Sequence, residues 1–316
     1  PSPLPTPSAA PSAAESPAPT AVSPEPTPDP TVSIASSPGP AATAAATLAI
    51  ASGVEVLGDT AAFSPDGRWF AFTARPADGS AGPDIHVWHI GDGRAQAVTS
   101  DGMSVFASWD GDRLIGSRPR SNGTSEGESN VQSFALDPAT GAEMPIASDL
   151  WRPVIDPTAR RAVAWIGSVA QTAELEWQPA RGSLQLVVWN GRQAANQAAD
   201  RNPVTIATIA APTDFDVRWD ETGEWFGVWA ADASAPAIGR LSLYRIDPAT
   251  GDLEIPDTAL TEIAALPGFS IGEGRMAWAT PPGQGGEGSR IQVVAWKGDD
   301  VGTVETAPGE DIVVVR

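Results

Sequence analysis

One stretch of this chain carries the pattern of a catalytic serine: Gly268, Phe269, Ser270, Ile271 and Gly272 read G-x-S-x-G. A nucleophile elbow needs that serine on a strand-to-helix turn, with an acid and then a histidine later in the chain. Both histidines, His86 and His89, lie upstream instead, and the residues around Ser270 read as a hairpin. A metal pair made of those two imidazoles meets a different obstacle. Residues three apart on a strand point to opposite faces, so His86 and His89 cannot share an ion, and Asp84 with His86 makes an incomplete set. The acidic groups Asp110 with Asp112, and Asp299 with Asp300, offer the oxygen ligands calcium takes, but neither has the spacing of a calcium loop. Calcium is thus the one cofactor the sequence leaves open, and no other is expected. Among 39 acidic residues nothing selects the carboxylate pair of a glycoside hydrolase. Gly283, Gly285, Gly286 and Gly288 lack the lysine and following helix of a phosphate loop and read as a hairpin tip.

The elements that would hold such residues repeat. FSPDGRWFAF at 63–72 has counterparts in ASWDGDRLIG at 107–116, IDPTARRAVAW at 155–165, RWDETGEWFGVW at 218–229 and FSIGEGRMAW at 269–278. Each reads as strand, tight turn, strand, and Asp-Gly at 66–67 and 110–111 supplies the positive φ such turns require. A second element trails each: DIHVWHIGDG, NVQSFALDPATG, SLQLVVWNG, RLSLYRIDPATG and RIQVVAWKGDD. The turn positions Gly67, Gly111, Ala159, Gly223 and Gly274 are 44, 48, 64 and 51 residues apart. A unit of that size with three or four strands cannot bury both faces of its sheet alone, and stacking units radially solves this. The expected fold is therefore all-β: a β-propeller of about five, or six, four-stranded blades over 47–316. Trp69, Phe70, Trp225 and Phe226 take matching places, as side chains filling the space between blades would. The long third unit is expected to carry an insertion between Ser168 and Arg181 and a loop at 192–202. One polar stretch, Gln193 to Asp200, reads as a single helical turn.

These repeats resemble those of the TolB-type propellers, a WD-repeat-like family of bacterial exported proteins, over about 60–300. The resemblance is strong in the first and fourth units and weak in the third. It implies the fold and little about activity, since members include envelope scaffolds, sensor ectodomains and the non-catalytic domains of peptidases.

Residues 1–46 are of another kind, almost wholly Pro, Ala, Ser and Thr up to position 45, where Glu15, Glu25 and Asp29 are the only charges. Alternating prolines fix φ and remove amide donors, so a disordered, extended linker is expected. Its reach is ~140 Å fully extended and ~40 Å as a coil. Deleting residues 1–45 is expected to move the thermal midpoint by no more than about two degrees, because they bring too little apolar surface to offset their entropy. A larger drop in a calorimetric scan would show that they pack on the domain. A chain opening on Pro1 is expected to be the outer part of a longer precursor, with a membrane anchor outside this segment and an extracytoplasmic location.

The net charge of −20, with Lys297 the only lysine, repels phosphate backbones and excludes nucleic acid as a partner. The absence of cysteine removes disulfides and thiolate sites. The expectation is a monomeric binding or sensing propeller rather than an enzyme, whose partner is a protein, a glycan or a small ligand met around the central channel. Asp66, Arg68, Asp110, Arg218 and Asp220, all in or beside repeat turns, are the candidate binding residues. The competing readings are a hydrolase or lyase with acidic channel residues and a structural envelope scaffold. The apolar runs at 48–58 and 311–316 are expected to share one terminal sheet that closes the ring.

Overall fold

The computed structural model describes residues 49–120, 129–147, 149–189, 204–207, 214–232, 234–254, 259–264, 269–280, 290–295 and 300–305. The expected linker at 1–46, the helical turn at 193–200, the hairpin tip at 283–288 and the run at 311–316 all lie outside these residues. No α-helix occurs among the described residues, so none is long and apolar enough to cross a membrane.

Five antiparallel sheets follow one another along the chain, and together they form a five-bladed propeller, the fold that the resemblance implies. Blade 1 holds β1 (Val54–Phe63), β2 (Trp69–Pro76), β3 (Asp84–His89) and β4 (Gln96–Ala97). Blade 2 holds β5 (Val105–Asp110), β6 (Arg113–Pro119), β7 (Val131–Leu136) and β8 (Glu143–Ala147). Blade 3 holds β9 (Leu150–Ile155), β10 (Arg161–Gln171), β11 (Trp177–Val188) and β12 (Val204–Ala207). Blade 4 holds β13 (Phe215–Trp219), β14 (Trp225–Asp232), β15 (Ala235–Ile246) and β16 (Leu253–Glu254), and β17 (Ala259–Ala264) pairs with the other end of β15. Blade 5 holds β18 (Phe269–Gly272), β19 (Arg275–Thr280), β20 (Arg290–Ala295) and β21 (Asp300–Glu305).

The repeated turns join the first strand of each blade to the second, and their chemistry follows from their residues. Asp220 Oδ1 accepts the Trp225 amide at 3.0 Å while Thr222 donates to Oδ2 at 2.7 Å. Asp156 does the same with the Arg161 amide, at 3.0 Å, and with Thr158, at 2.6 Å. In blade 1 the roles are exchanged: the Ser64 hydroxyl accepts the Trp69 amide at 3.0 Å and donates to Asp66 at 2.7 Å. Where the other turns have glycine, blade 3 has Ala159 at φ 54°, a left-handed conformation that its capped turn imposes on a residue with a Cβ. The two DPATG strings form the same loop between third and fourth strands: Asp137 and Asp247 each accept the amides of the residues two and three positions on.

The core lies between blades. Large side chains on one blade meet its predecessor, as when Phe106, Leu114 and Phe134 of blade 2 pack on Ala71, Ile85 and Val87 of blade 1. Phe215, Phe226 and Tyr244 of blade 4 face Val154, Val163 and Trp165 of blade 3 in the same way. Two indoles tie these contacts: Trp109 donates to Ala62 O at 3.1 Å and Trp219 to Val154 O at 3.0 Å.

Blade 5 holds four consecutive strands. Val54–Phe63, with residues 54–58 of the 48–58 run, is the first strand of blade 1 and pairs with Trp69–Pro76, while the other run of the expected closure, 311–316, lies outside the described residues. The apolar content of Val54–Phe63 is explained by the burial every first strand needs.

Candidate functional site: one mouth of the channel

The first strands of a propeller run side by side, so their C-terminal ends and the turns that follow meet at one end of the channel. There the structure has a cavity of about 280 Å³. Blade 1 lines it with Ala62, Phe63 and Pro65, blade 2 with Ser108, Trp109 and Asp110, blade 3 with Val154, Ile155 and Asp156, and blade 4 with Asp216, Val217 and Arg218.

Each polar group in that wall is held by its own element. On β13, side chains alternate: Phe215, Val217 and Trp219 enter the core against blade 3, and Asp216 and Arg218 take the other face. There they form an ion pair, Nε to Oδ2 2.9 Å, with both side chains about 95% buried, and the Val217 amide adds a donor to Asp216 at 2.8 Å. Asp110 Oδ2 accepts the Trp189 indole N–H of blade 3 at 3.1 Å. Asp156 is held by its turn. The wall thus joins apolar surface, one neutralised ion pair, the Asp156 carboxylate spent on capping its own turn, and the Asp110 carboxylate, whose Oδ2 accepts from Trp189. Such a wall suits a ligand that brings apolar bulk together with hydrogen-bond donors or positive charge.

Of the five residues singled out by sequence, the structure brings Asp110 and Arg218 together in this wall. Asp220 is 2% exposed and is used up in capping its turn. Asp66 and Arg68 pair with each other at 2.5 Å on the surface, side chains 39% and 65% exposed, and neither lines the cavity. The Ser64 hydroxyl, followed by the Arg68 amide and guanidinium, holds the Asp66 carboxyl down at about 2. Sequence reasoning missed Asp156 and Asp216. Both were within reach: Asp156 occupies the repeat position of Asp220, and Asp216 sits two residues before Arg218 on one strand face.

The other motifs resolve in the same way. Ser270 lies on β18 opposite Ala277, in a hairpin turned by Glu273 and Gly274, which is no strand-to-helix elbow. His86 stacks on Phe72 and His89 meets Trp69 edge-on, on opposite faces of β3. Burial lowers the His86 pKa against the upward pull of Asp84. Asp84 Oδ1 instead accepts the Thr99 hydroxyl and the Asp101 and Gly102 amides. Among the described residues no group of three or more His, Asp or Glu side chains could hold a metal ion.

No protein-family model and no curated protein matches this chain. Solved structures do. A puromycin-hydrolyzing peptidase from Mycobacterium tuberculosis is similar at 10% identity and TM-score 0.49, over 80% of this chain and 40% of its own length. A putative TolB from Agrobacterium tumefaciens is similar at 15% identity and TM-score 0.42, over 65% of this chain and 66% of its own. An oligogalacturonate lyase from Vibrio parahaemolyticus is similar at 14% identity and TM-score 0.43, over 79% of this chain and 65% of its own. This chain therefore spans about two fifths of the peptidase. With a peptidase and a lyase among these structures, the expectation that the chain is no enzyme is corrected and withdrawn. At such identities the likeness speaks for the fold alone and assigns no activity either.

Proposed function

We propose that this chain is an extracytoplasmic binding or sensing domain, carried on the linker at 1–46, whose ligand enters the channel mouth lined by Asp110, Asp156, Asp216 and Arg218. The observation that carries this reading is the cavity of about 280 Å³ on which four blades converge, close to the lower size of small-molecule sites, roughly 300 Å³. Its apolar wall and the Asp110 carboxylate favour a small molecule, or the tip of a peptide or glycan, that presents a donor to Asp110. A chain of net charge −20 adds a field that draws cationic groups toward it.

The test is a screen of the full chain against peptide and oligosaccharide arrays, followed by titration of the hits with Asp110→Asn. Asparagine keeps an acceptor for the Trp189 indole and removes the charge. Affinity is expected to fall about tenfold, or ~1.4 kcal/mol, with the thermal midpoint unchanged. Hits that bind the variant as tightly as the parent would place the site elsewhere.

A further inference from the structure

The charges in the wall of the channel mouth do not balance. Arg218 answers Asp216, but Asp110 and Asp156 have no cationic partner within ion-pair distance among the described residues. Asp156 is 3% exposed and its oxygens are taken by its turn, so it acts on the cavity only through its field. Asp110 is placed differently. Its Oδ2 accepts the Trp189 indole N–H, a neutral donor, and its Oδ1 has no donor among the described residues. A cation carrying an N–H group would supply both the missing charge and the missing hydrogen bond.

Another part of the wall is aromatic. Phe63 ends β1 and lines the same cavity while 46% exposed. One exposed ring is ordinary on any surface and carries nothing alone. This one, however, is held in place: Phe70, paired with it across the sheet, has its ring centroid 4.8 Å away, and Phe72 extends the row 5.8 Å further. One bond between blades also fixes Phe63 relative to Asp110. Trp109 donates to Ala62 O at 3.1 Å, and Asp110 and Phe63 are the next residues on those two strands. A carboxylate and a π-face in one cavity attract the same kind of group, since the ring's quadrupole also favours positive charge.

A metal ion is the poorer occupant. Calcium takes about six to eight oxygen ligands, and no group of three or more acidic or imidazole side chains gathers among the described residues. A guanidinium is planar, donates to carboxylates and stacks on aromatic rings, which matches both features of the wall.

We infer that the channel mouth recognises an organic cation, a guanidinium ahead of an ammonium, which donates to Asp110 while Phe63 packs on its planar face or its stem. This rests on the mouth being the binding site and narrows what enters it. A free small cation and an arginine side chain on a peptide share this chemistry.

The full chain is titrated calorimetrically with ethylguanidinium, with a short alanine peptide holding one arginine, with the same peptide holding citrulline, and with calcium chloride. Citrulline keeps the shape of arginine and lacks its charge. At least one of the two cations is expected to bind at least about tenfold more tightly than the citrulline peptide, and severalfold more weakly when salt rises from about 20 to about 300 mM. The tighter of the two cations names the source. Asp110→Asn is expected to weaken both about tenfold, Phe63→Leu about three- to fivefold, and Phe63→Trp to bind as well as the parent. The citrulline and salt comparisons use the unaltered chain, so they decide the matter even where a substitution unfolds it. Equal binding of the arginine and citrulline peptides, no binding of either cation at millimolar concentration, or calcium binding ahead of both through Asp110 would overturn the inference. So would cation affinity left unchanged by either Asp110→Asn or Phe63→Leu. Uncharged array hits that Asp110→Asn weakens would remove the cation and leave the mouth as the site, so the two readings fail separately.

Discussion

Replacing Arg218 by alanine is expected to cost about 3–5 kcal/mol of folding free energy, the largest effect of any single charge change in the described part of this chain. The reason is the partner it leaves behind. Asp216 is 3% exposed, and its Oδ2 accepts from the Arg218 guanidinium while Oδ1 accepts only a short-range amide from Val217. Without the guanidinium, a carboxylate stays in the channel wall with its charge uncompensated, and burying such a charge is costly. Removing both partners is a different matter. Asp216→Asn with Arg218→Met keeps the volume, removes both desolvation costs, and is expected to recover most of the loss, to within about 1 kcal/mol. Urea unfolding of the three variants measures this directly. A loss below about 1 kcal/mol in Arg218→Ala would mean that water reaches the pair, and the cavity would then have to be regarded as a wet channel.

The blades were legible in the sequence because their information is local. A first-strand hairpin needs its apolar run, its capping residue and its positive-φ position within about ten residues, so FSPDGRWF and RWDETGEWF announce it. Even the exchange of Ser64–Asp66 for Asp220–Thr222 can be read as the same turn with donor and acceptor swapped. What the sequence could not show were contacts between units. Arg75 and Glu176 are 101 residues apart, and nothing near either names the other. The insertion between Ser168 and Arg181 was visible as extra length, but not as a hairpin whose Glu176 meets Arg75 of blade 1. Site residues failed for a related reason. Proximity to a repeat turn selects Asp66, Arg68 and Asp220 as readily as Asp110 and Arg218. Only the direction of each side chain separates those that line the cavity from those spent on a turn or turned to solvent. The 48–58 run looked surplus to the repeats, yet its latter half begins the first strand of the first blade.

The tryptophan that precedes the turn shows both kinds of information in one residue. Trp219→Ala is expected to cost about 3–5 kcal/mol, since it removes a 4% exposed indole from the layer between blades 3 and 4. That indole touches Phe226 with ring centroids 4.6 Å apart and donates to Val154 O at 3.0 Å. The second contact is the one that fixes how blade 4 sits on blade 3, because Val154 belongs to the first strand of the neighbouring blade and lines the channel cavity. Trp219→Phe separates the two roles: it keeps most of the packing, gives up the hydrogen bond, and is expected to cost about 1–2 kcal/mol. Trp109 makes the corresponding bond to Ala62 O between blades 2 and 1, so Trp109→Phe is expected to behave alike. The measurement is chemical denaturation, with near-ultraviolet circular dichroism of the native state as a check on packing. If Trp219→Phe proves as damaging as Trp219→Ala, the indole N–H is the dominant tie between the blades. If both are nearly neutral, blades 3 and 4 are held together by the rest of the layer, and the key-like role assigned to this residue fails.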